Sequence, residues 1–503
     1  DEFVIQLTRE PVRADFDDID PGFRYLYERP KPKKDGKAGK PAGPVVPSGR
    51  VFDYAMESER HKRYQAAKAS EDKEVQASAE EDRPDPEFKL YRLIVSLQGE
   101  TGPNRVVEAF VKAPDRFRES AWACYSGAKS TFEEAPLVQL FNPQAAKGYA
   151  LLKPTGTDRN DKTKEKWADP FLEWLRYRGF FRTCAGWFLG SKGEHVRVYT
   201  PIPKNISFRL FEDVAQQFRQ SPMSGTAPKL DCRGVILLAK ILISRSEALA
   251  RPATSIDGVW ITHYQSMGQA KAVTAIDRLA VPNWFDLQTK EDAERWLEAL
   301  DEHDTVLRRL DDSISEELAL LKSYRRFLEK QGAEAGRYFI DFLGEYGSHV
   351  FRQRGQGKWL LPQFKAGSVE AILGVSYKAI LANEGFSAIA GAIRSATVSA
   401  QVAKKRGDRD YREIRYGAIP ELRRKLPLGK EEFIKAVADF IADFNVESAR
   451  RYEQGKSGFR ISQSELAAFA ELMDSEQDAQ TVGALLCAMA TCKLGQEAKE
   501  DSE

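Results

Sequence analysis

The stretch Phe433-Ile-Lys-Ala-Val-Ala-Asp-Phe-Ile-Ala-Asp-Phe444 decides the fold of the C-terminal part of this 503-residue chain. Its apolar residues recur at intervals of three and four, which is the period of a helix that buries one face. A capping-box pair, Ser462 with Glu465, starts another such series. The same period begins near residue 288, where 296–321 is one long helix or a broken pair. The pattern predicts a helical bundle.

The sequence before residue 288 has a different pattern. Short β-branched, aromatic or alternating runs predict strands, and they lie at residues 93–97, 196–199, 206–210 and 259–264. Between them, 169–179 has helix-capping signals, and Gly234–Ile243 is apolar enough for a buried helix. We therefore expect an α+β protein, with a mixed α/β N-terminal domain over 1–287 and a C-terminal helical bundle over 288–503.

Two segments of the N-terminal domain have little to bury. Residues 30–49 contain five prolines, four glycines and five lysines, which predicts a flexible basic loop. Residues 57–87 are polar and lack a continuous apolar stripe, so we expect an exposed helix at most, with weak order.

Composition narrows the class of protein. Five scattered cysteines with no CxxC pair argue against a disulfide framework and against zinc, and favour a reducing compartment. The best candidate for a membrane span, Gly234–Ile243, has only ten residues and includes Lys240, so it is too short to cross a bilayer. The first residues lack a signal-peptide pattern. These features predict a cytoplasmic protein without membrane contact.

The formal net charge of +1 conceals local segregation of charge. Residues 147–209 carry an excess of seven positive charges, and residues 404–425 an excess of five. In the first segment, Trp167, Trp174 and Phe180 lie close to arginines. Cations bind phosphates and flat rings stack on bases, so this combination indicates a nucleic-acid partner. The alternative is that Trp174 and Phe180 are core rings and that the charged runs are solvated faces.

Motifs for catalysis are missing from the sequence. Gly455-Lys-Ser457 resembles the end of a phosphate-binding loop, but Arg450 stands where that loop needs glycine. No GxGxxG, GxSxG or HExxH occurs, and the five histidines are far apart. We therefore expect no enzymatic activity, no cofactor and no metal.

The chain resembles the large subunit of a type I CRISPR surveillance complex, Cascade. The stretches that carry the resemblance are Asp169–Phe181, Phe342–Val350, Ile414–Leu422, Phe433–Ile441 and Phe469–Leu472. The family combines a mixed α/β N-terminal domain with a C-terminal helical bundle, and the resemblance covers about residues 90–495. The polymerase-like and HD nuclease motifs of type III large subunits are absent, which argues for a non-enzymatic member.

This resemblance implies a prokaryotic, cytoplasmic role in antiviral defence. Guide RNA in a multi-subunit complex would read double-stranded target DNA by base pairing, while the protein reads a short flanking motif, the PAM. The large subunit would open the duplex, stabilise the R-loop, hold the displaced single strand and help to recruit a helicase-nuclease.

Candidate contact residues follow from side-chain chemistry, since the family supplies no motif that aligns residue by residue. Amide and lysine side chains in exposed loops can bond base edges, and the PAM-side candidates are Asn142, Gln144, Lys147, Lys153 and Asn160. Cations of the second basic segment can bind phosphates, and the displaced-strand candidates are Lys404, Lys405, Arg406, Arg409, Arg412, Arg415, Arg423 and Arg424.

Two alternatives remain. A metal-dependent nucleic-acid enzyme could use Asp311, Asp312 and His303. On one helix, consecutive aspartates point about 100° apart, which disfavours a shared ion. The other alternative is a structural scaffold that binds only protein and pairs its basic segments with acidic neighbours.

Overall fold

A computed structural model describes most of the C-terminal part of the chain and selected segments before it. The described residues are 12–17, 24–27, 48–92 without 69, 71, 86, 89–90, scattered positions of 104–126, then 145–146, 149–150, 186–189, 195–245 without 222 and 224–225, and 252–493 without 268–269, 283, 285–286, 331, 409, 457 and 476–478.

Eight strands are described, in three sheets. They are β1 (Tyr25–Tyr27), β2 (Val51–Asp53), β3 (Ala145–Ala146), β4 (Tyr149–Ala150), β5 (Gly186–Leu189), β6 (His195–Pro203), β7 (Ile256–Met267) and β8 (Ala270–Ala280). β1 pairs with β2 in parallel, and β3 pairs with β4 in antiparallel fashion. The largest sheet has the strand order β5-β6-β7-β8, and β5 is antiparallel to β6.

Helices make up most of the rest of the described chain. They are α1 (Tyr54–Lys68), α2 (Lys73–Ser78), α3 (Phe208–Gln220), α4 (Ala227–Arg245), α5 (Pro252–Ser255), α6 (Lys290–Arg309), α7 (Ser315–Glu329), α8 (Gly332–Gly355), α9 (Ala366–Leu381), α10 (Glu384–Arg394), α11 (Ala400–Arg406), α12 (Ala418–Lys425), α13 (Lys430–Glu453), α14 (Gln463–Asp474) and α15 (Ala479–Thr491). A π-helix, Ser395–Ser399, joins α10 to α11. The expected α+β class with a helical C-terminal part is confirmed.

Contacts within the chain define two compact units. The first comprises Asp1–Thr200 with Thr262–Ile276, and the second Pro201–Ile261 with Asp277–Glu503. In the second unit, α4 packs on α6 and α7, α8 packs on α7 and α15, and α10 packs on α14 and α15. The helices α3 and α4, which precede residue 288, thus belong to the same unit as the C-terminal helices.

The predicted helices of the C-terminal part agree with the structure. The buried residues of α13 include Phe433, Val437, Phe440 and Phe444, which repeat at the expected intervals. Ser462 and Glu465 form the predicted capping box of α14. The series over 296–321 is a broken pair, since α6 ends at Arg309 and α7 begins at Ser315.

One strand prediction is wrong. Residues 206–210 contain the start of helix α3, because the Ser207 side chain accepts a hydrogen bond from the backbone N–H of Leu210 and caps the helix. The residues that α3 buries, Phe211, Val214 and Phe218, follow a helical period that a five-residue window cannot reveal. The predicted strands 196–199 and 259–264 lie in β6 and β7. The predicted strand 93–97, the predicted helix 169–179 and residues 30–47 of the loop predicted over 30–49 lie outside the described residues. The last two residues of that loop begin a 3-10 helix, Ser48–Arg50.

The polar segment 57–87 is more ordered than its apolar content suggests. It contains most of α1 and all of α2. Ion pairs hold it together, including Arg63 with Asp82 at 2.8 Å and Lys68 with Glu80 at 2.9 Å. The buried Glu57 carboxylate accepts a hydrogen bond from the Asp85 backbone. Exposed ion pairs contribute little each, and the segment is also held by ring contacts of Tyr54 and His61 with the buried Phe88, at 5.6 and 5.1 Å between centroids.

An aromatic core supports α8 from inside the second unit. The His303 ring lies 4.8 to 5.3 Å, between centroids, from the rings of Trp284, Phe339 and Phe364. The Phe327 ring lies 5.1 Å from that of Trp284 and 4.8 Å from that of Phe339. This core holds α8 in position, and the C-terminal end of α8 contributes to the candidate site. None of the described helices combines the length and the apolar content needed to cross a membrane.

Candidate nucleic-acid interface

Three helices of the second unit, α8, α11 and α13, end in the same way. Each ends close to a glycine with positive φ, and the residue after that glycine bonds back five positions along the chain, as in a Schellman motif. The glycines are Gly357, Gly407 and Gly455, with φ of 83°, 80° and 71°. The backbone N–H groups of Lys358, Asp408 and Lys456 donate over 2.9, 3.1 and 2.9 Å.

Hydrogen bonds bring these helix ends together. The Gln401 side chain of α11 donates to the Phe351 carbonyl of α8 over 3.1 Å. The Arg451 guanidinium of α13 donates to the carbonyl of Asp410, in the loop after α11, over 2.7 Å. The ends of α8 and α13 therefore both attach to α11 and its loop.

Cations lie over aromatic rings where these ends meet. Arg354 and Lys405 lie 4.9 and 4.2 Å from the centre of the Trp359 ring, and Lys404 lies 5.9 Å from that of Tyr411. Burial lowers the pKa of Arg354, whose guanidinium also donates to the side chain of Gln363. We call this region the cation–aromatic surface, and its residues are Arg354, Lys358, Trp359, Lys404, Lys405, Arg406, Tyr411, Arg451, Tyr452 and Lys456.

The cation–aromatic surface faces solvent at most of these residues. Lys358 and the three consecutive cations of α11 are exposed. Tyr411 exposes 38% and Tyr452 exposes 74% of its surface. Lys456 pairs with Asp410 at 3.4 Å. The region thus presents positive charge and flat rings side by side.

Half of the predicted displaced-strand residues face solvent. Lys404, Lys405 and Arg406 belong to the cation–aromatic surface, and Arg424 is exposed on α12. Arg409 lies outside the described residues. Arg423 is partly buried, and its guanidinium contacts the Ser348 hydroxyl on α8 at 3.3 Å.

Arg412 and Arg415 are engaged within the protein. The Arg412 guanidinium lies 4.3 Å from the Phe444 ring, donates to the Ser448 hydroxyl over 2.9 Å and pairs with Glu447 at 3.4 Å. Burial lowers the pKa of Arg412. Arg415 pairs with Glu447 at 3.2 Å. These two arginines fasten the loop after α11 to α13.

The five PAM-side candidates, Asn142, Gln144, Lys147, Lys153 and Asn160, lie outside the described residues. Their role stays a prediction from the sequence.

The alternative metal set does not converge. His303 is fully buried, its Nδ1 lies 2.7 Å from the Tyr324 hydroxyl, and burial lowers its pKa to about 3. The Asp311 carboxylate accepts two hydrogen bonds from Ser313, which lower its pKa. Asp312 accepts a hydrogen bond from the Thr226 backbone. Within the described part of the chain, no three histidine, cysteine or acidic residues are placed to hold a metal.

Sequence reasoning missed the rings of this surface. Trp359, Tyr411 and Tyr452 each stand next to a basic residue, in Lys358-Trp359, Tyr411-Arg412 and Arg451-Tyr452. Each pair also lies within five positions of a glycine that ends a helix. That combination is the signal that could have found them, although only the fold shows that the three segments meet.

No model of a known protein family matches this chain, and no curated protein shows significant similarity to it. The chemistry of the site therefore rests on the residues themselves. Its cations can bind phosphate oxygens, and its rings can stack on flat groups.

Proposed function

We propose that this protein is a nucleic-acid-binding subunit that holds a strand on its cation–aromatic surface. The observation that carries the proposal is the meeting of three helix ends at the exposed cations Lys404, Lys405 and Arg406. Lys404 lies over the exposed Tyr411 ring, and Lys405 lies over the partly buried Trp359 ring. Phosphate contacts dominate the affinity of such proteins because each neutralised phosphate releases counterions.

These cations could instead be present only to stabilise the C-terminal ends of the three helices. A helix C-terminus behaves like about half a negative charge, so basic residues in the last turn stabilise it. Three ends together amount to roughly 1.5 negative charges. The segments 354–360, 404–411 and 451–456 contain eight cations and three carboxylates, a surplus of five. The positive charge exceeds what the helix ends require, which supports an external anion.

The resemblance to Cascade large subunits extends this proposal. In that role the protein acts within a complex that carries guide RNA, and its cation–aromatic surface holds the displaced strand of the R-loop. The candidates between Asn142 and Asn160 contact the PAM in double-stranded DNA, and the protein helps to recruit a helicase-nuclease without cleaving DNA itself. The residue pattern and the solvent-facing cations support this role.

Strand binding by the purified full chain tests the proposal. We expect the triple variant Lys404→Glu, Lys405→Glu, Arg406→Glu to lose most of its affinity for a labelled single strand. The loss should be similar for every sequence, since phosphate contacts carry no base information. The matched control reverses Lys290, Lys322 and Lys378, which are exposed on α6, α7 and α9.

Two outcomes would contradict the proposal. If the triple variant and the control bind the single strand with equal affinity, the cation–aromatic surface does not bind the strand. Absence of binding by the unaltered chain, combined with tight binding of an acidic protein, would favour the scaffold alternative.

The PAM role needs its own measurement, made with the assembled complex. Asn142→Ala or Lys147→Ala should weaken binding only to targets with the correct flank, because a base-edge contact contributes roughly 1–3 kcal/mol where that base is present. Equal losses on all flanks would indicate backbone contacts instead.

A further inference from the structure

Two tyrosines of the cation–aromatic surface are exposed in a way that packing does not explain. Tyr452 exposes 74% of its surface on the last turn of α13, and Tyr411 exposes 38% in the loop after α11. The Tyr452 ring makes no ring contact or hydrogen bond with any residue that the structure describes. Exposed rings that are scattered singly over a surface are common, but two exposed rings in one charged region are typical of an interaction site.

Arg451 ties these two tyrosines together. It precedes Tyr452 in the chain, and its guanidinium donates to the backbone carbonyls of Asp410 and Tyr411 over 2.7 and 3.4 Å. The ion pair between Lys456 and Asp410, at 3.4 Å, adds a second link between the same segments. The backbones that carry both rings are therefore held in place before any partner arrives, which reduces the entropy cost of binding.

We propose that Tyr411 and Tyr452 form a stacking platform for unpaired bases. This inference rests on the proposed function and names its ligand as single-stranded nucleic acid, DNA or RNA, with accessible base faces. A ring can stack on any base, and such contacts do not depend on sequence. In a closed duplex only the two end base pairs have an uncovered face, so the rings have no stacking partner along its length.

The cations and the rings of this surface contribute differently to binding, because only the cations interact with phosphate charge. Lys404, Lys405 and Arg406 attract the phosphates of a duplex and of a single strand alike. The negative ends of α8, α11 and α13 offset part of that attraction. Stacking is unaffected by this offset, so the rings decide which form of nucleic acid is retained.

Trp359 has a different role in this surface. Its ring is partly buried and is contacted by both Arg354 and Lys405. It positions Lys405, and its truncation would disturb the surrounding loop. The test therefore uses the two exposed tyrosines.

The experiment compares three labelled probes of about 16 nucleotides, a length that spans one typical single-strand site. They are an ordinary single strand, an abasic single strand with the same phosphates, and a duplex. We expect the full chain to bind the ordinary strand at least about tenfold more tightly than the abasic one, which is the effect of one stacked base. The double variant Tyr411→Leu, Tyr452→Leu should abolish this difference, whereas Tyr411→Phe, Tyr452→Phe should retain it.

The control variant is Phe208→Leu, which removes a similarly exposed ring from α3. Equal binding of the ordinary and abasic strands by the unaltered chain would overturn the stacking platform and leave the proposed function standing. So would a Leu variant that still distinguishes them. If the full chain binds polyglutamate as tightly as it binds any of the nucleic-acid probes, the proposed function itself is contradicted.

Discussion

Arg412 lies where the basic loop after α11 meets the helical core. By sequence it belongs with its solvent-facing neighbours, because nothing in a basic run shows which side chain turns inward. The fold places it against Phe444, Glu447 and Ser448. A carboxylate placed at this buried position would be costly, because little water is present there to screen it from the neighbouring Glu447 carboxylate.

We predict that Arg412→Glu strongly destabilises the second unit. The new carboxylate would lie beside Glu447, so the free energy of unfolding should fall by about 3 kcal/mol or more. Arg424→Glu, at an exposed position on α12, should leave it nearly unchanged. Urea unfolding followed by circular dichroism measures both. Equal stability of the two variants would contradict the structural role of Arg412.

His303 predicts a pH dependence of stability. Burial lowers the pKa of His303 in the folded state to about 3, from an ordinary value of 6.5. Between these values the unfolded chain binds a proton that the folded protein rejects, so stability decreases as the pH falls below about 6.5. This group alone should lower the free energy of unfolding by about 1.4 kcal/mol for each pH unit.

The measurement is urea unfolding between pH 7 and pH 4 for the unaltered chain and for His303→Leu. The variant should be less stable at pH 7, because the Tyr324 hydroxyl loses its partner, and its stability should decline less steeply with acid. Parallel pH profiles would show that His303 titrates normally and is not enclosed by Trp284, Phe339 and Phe364.

At the scale of helices, the packing of α10 predicts opposite effects on stability for alanine substitutions at two of its glycines. A Cβ atom on Gly385 would lie 2.1 Å from the Glu465 carbonyl of α14, whereas one on Gly391 would meet only Phe459 at 3.9 Å. Gly385→Ala should therefore lower the free energy of unfolding by about 1–3 kcal/mol, the range for overpacking. Gly391→Ala should raise it by up to about 1 kcal/mol through helix propensity. Thermal unfolding separates them, and a stabilised Gly385→Ala would show that α10 and α14 are farther apart.

Helices were easier to predict than the other elements, for a physical reason. The 24 residues of α13 repeat their period many times, whereas the window at 206–210 holds too few residues to separate strand from helix. The contacts of segment 57–87, such as the Arg63–Asp82 ion pair and the His61–Phe88 ring contact, leave no periodic pattern in the sequence. The exposed cations at 404–406 were predicted from charge alone. The rings beside them were not, because Trp359, Tyr411 and Tyr452 come together only through the packing of three helices.

The whole molecule is nearly neutral, with 76 basic and 75 acidic residues, so its net charge predicts no affinity for a polyanion. The proposed function instead requires that a small region of surplus charge acts at short range. At about 0.15 M salt the screening length is about 8 Å, so only charges close to a phosphate contribute. Strand binding should therefore depend on few residues and strongly on salt.

The most direct test is the salt dependence of single-strand binding, measured from about 50 to 200 mM salt for the full chain and for Lys404→Gln, Lys405→Gln, Arg406→Gln. Each phosphate that the protein neutralises on a single strand adds about 0.7 to the steepness of log affinity against log salt, so the variant's slope should be smaller by about 2. The control Lys290→Gln, Lys322→Gln, Lys378→Gln should keep the original slope. An identical slope in both variants would show that phosphates are bound elsewhere and would contradict the central claim.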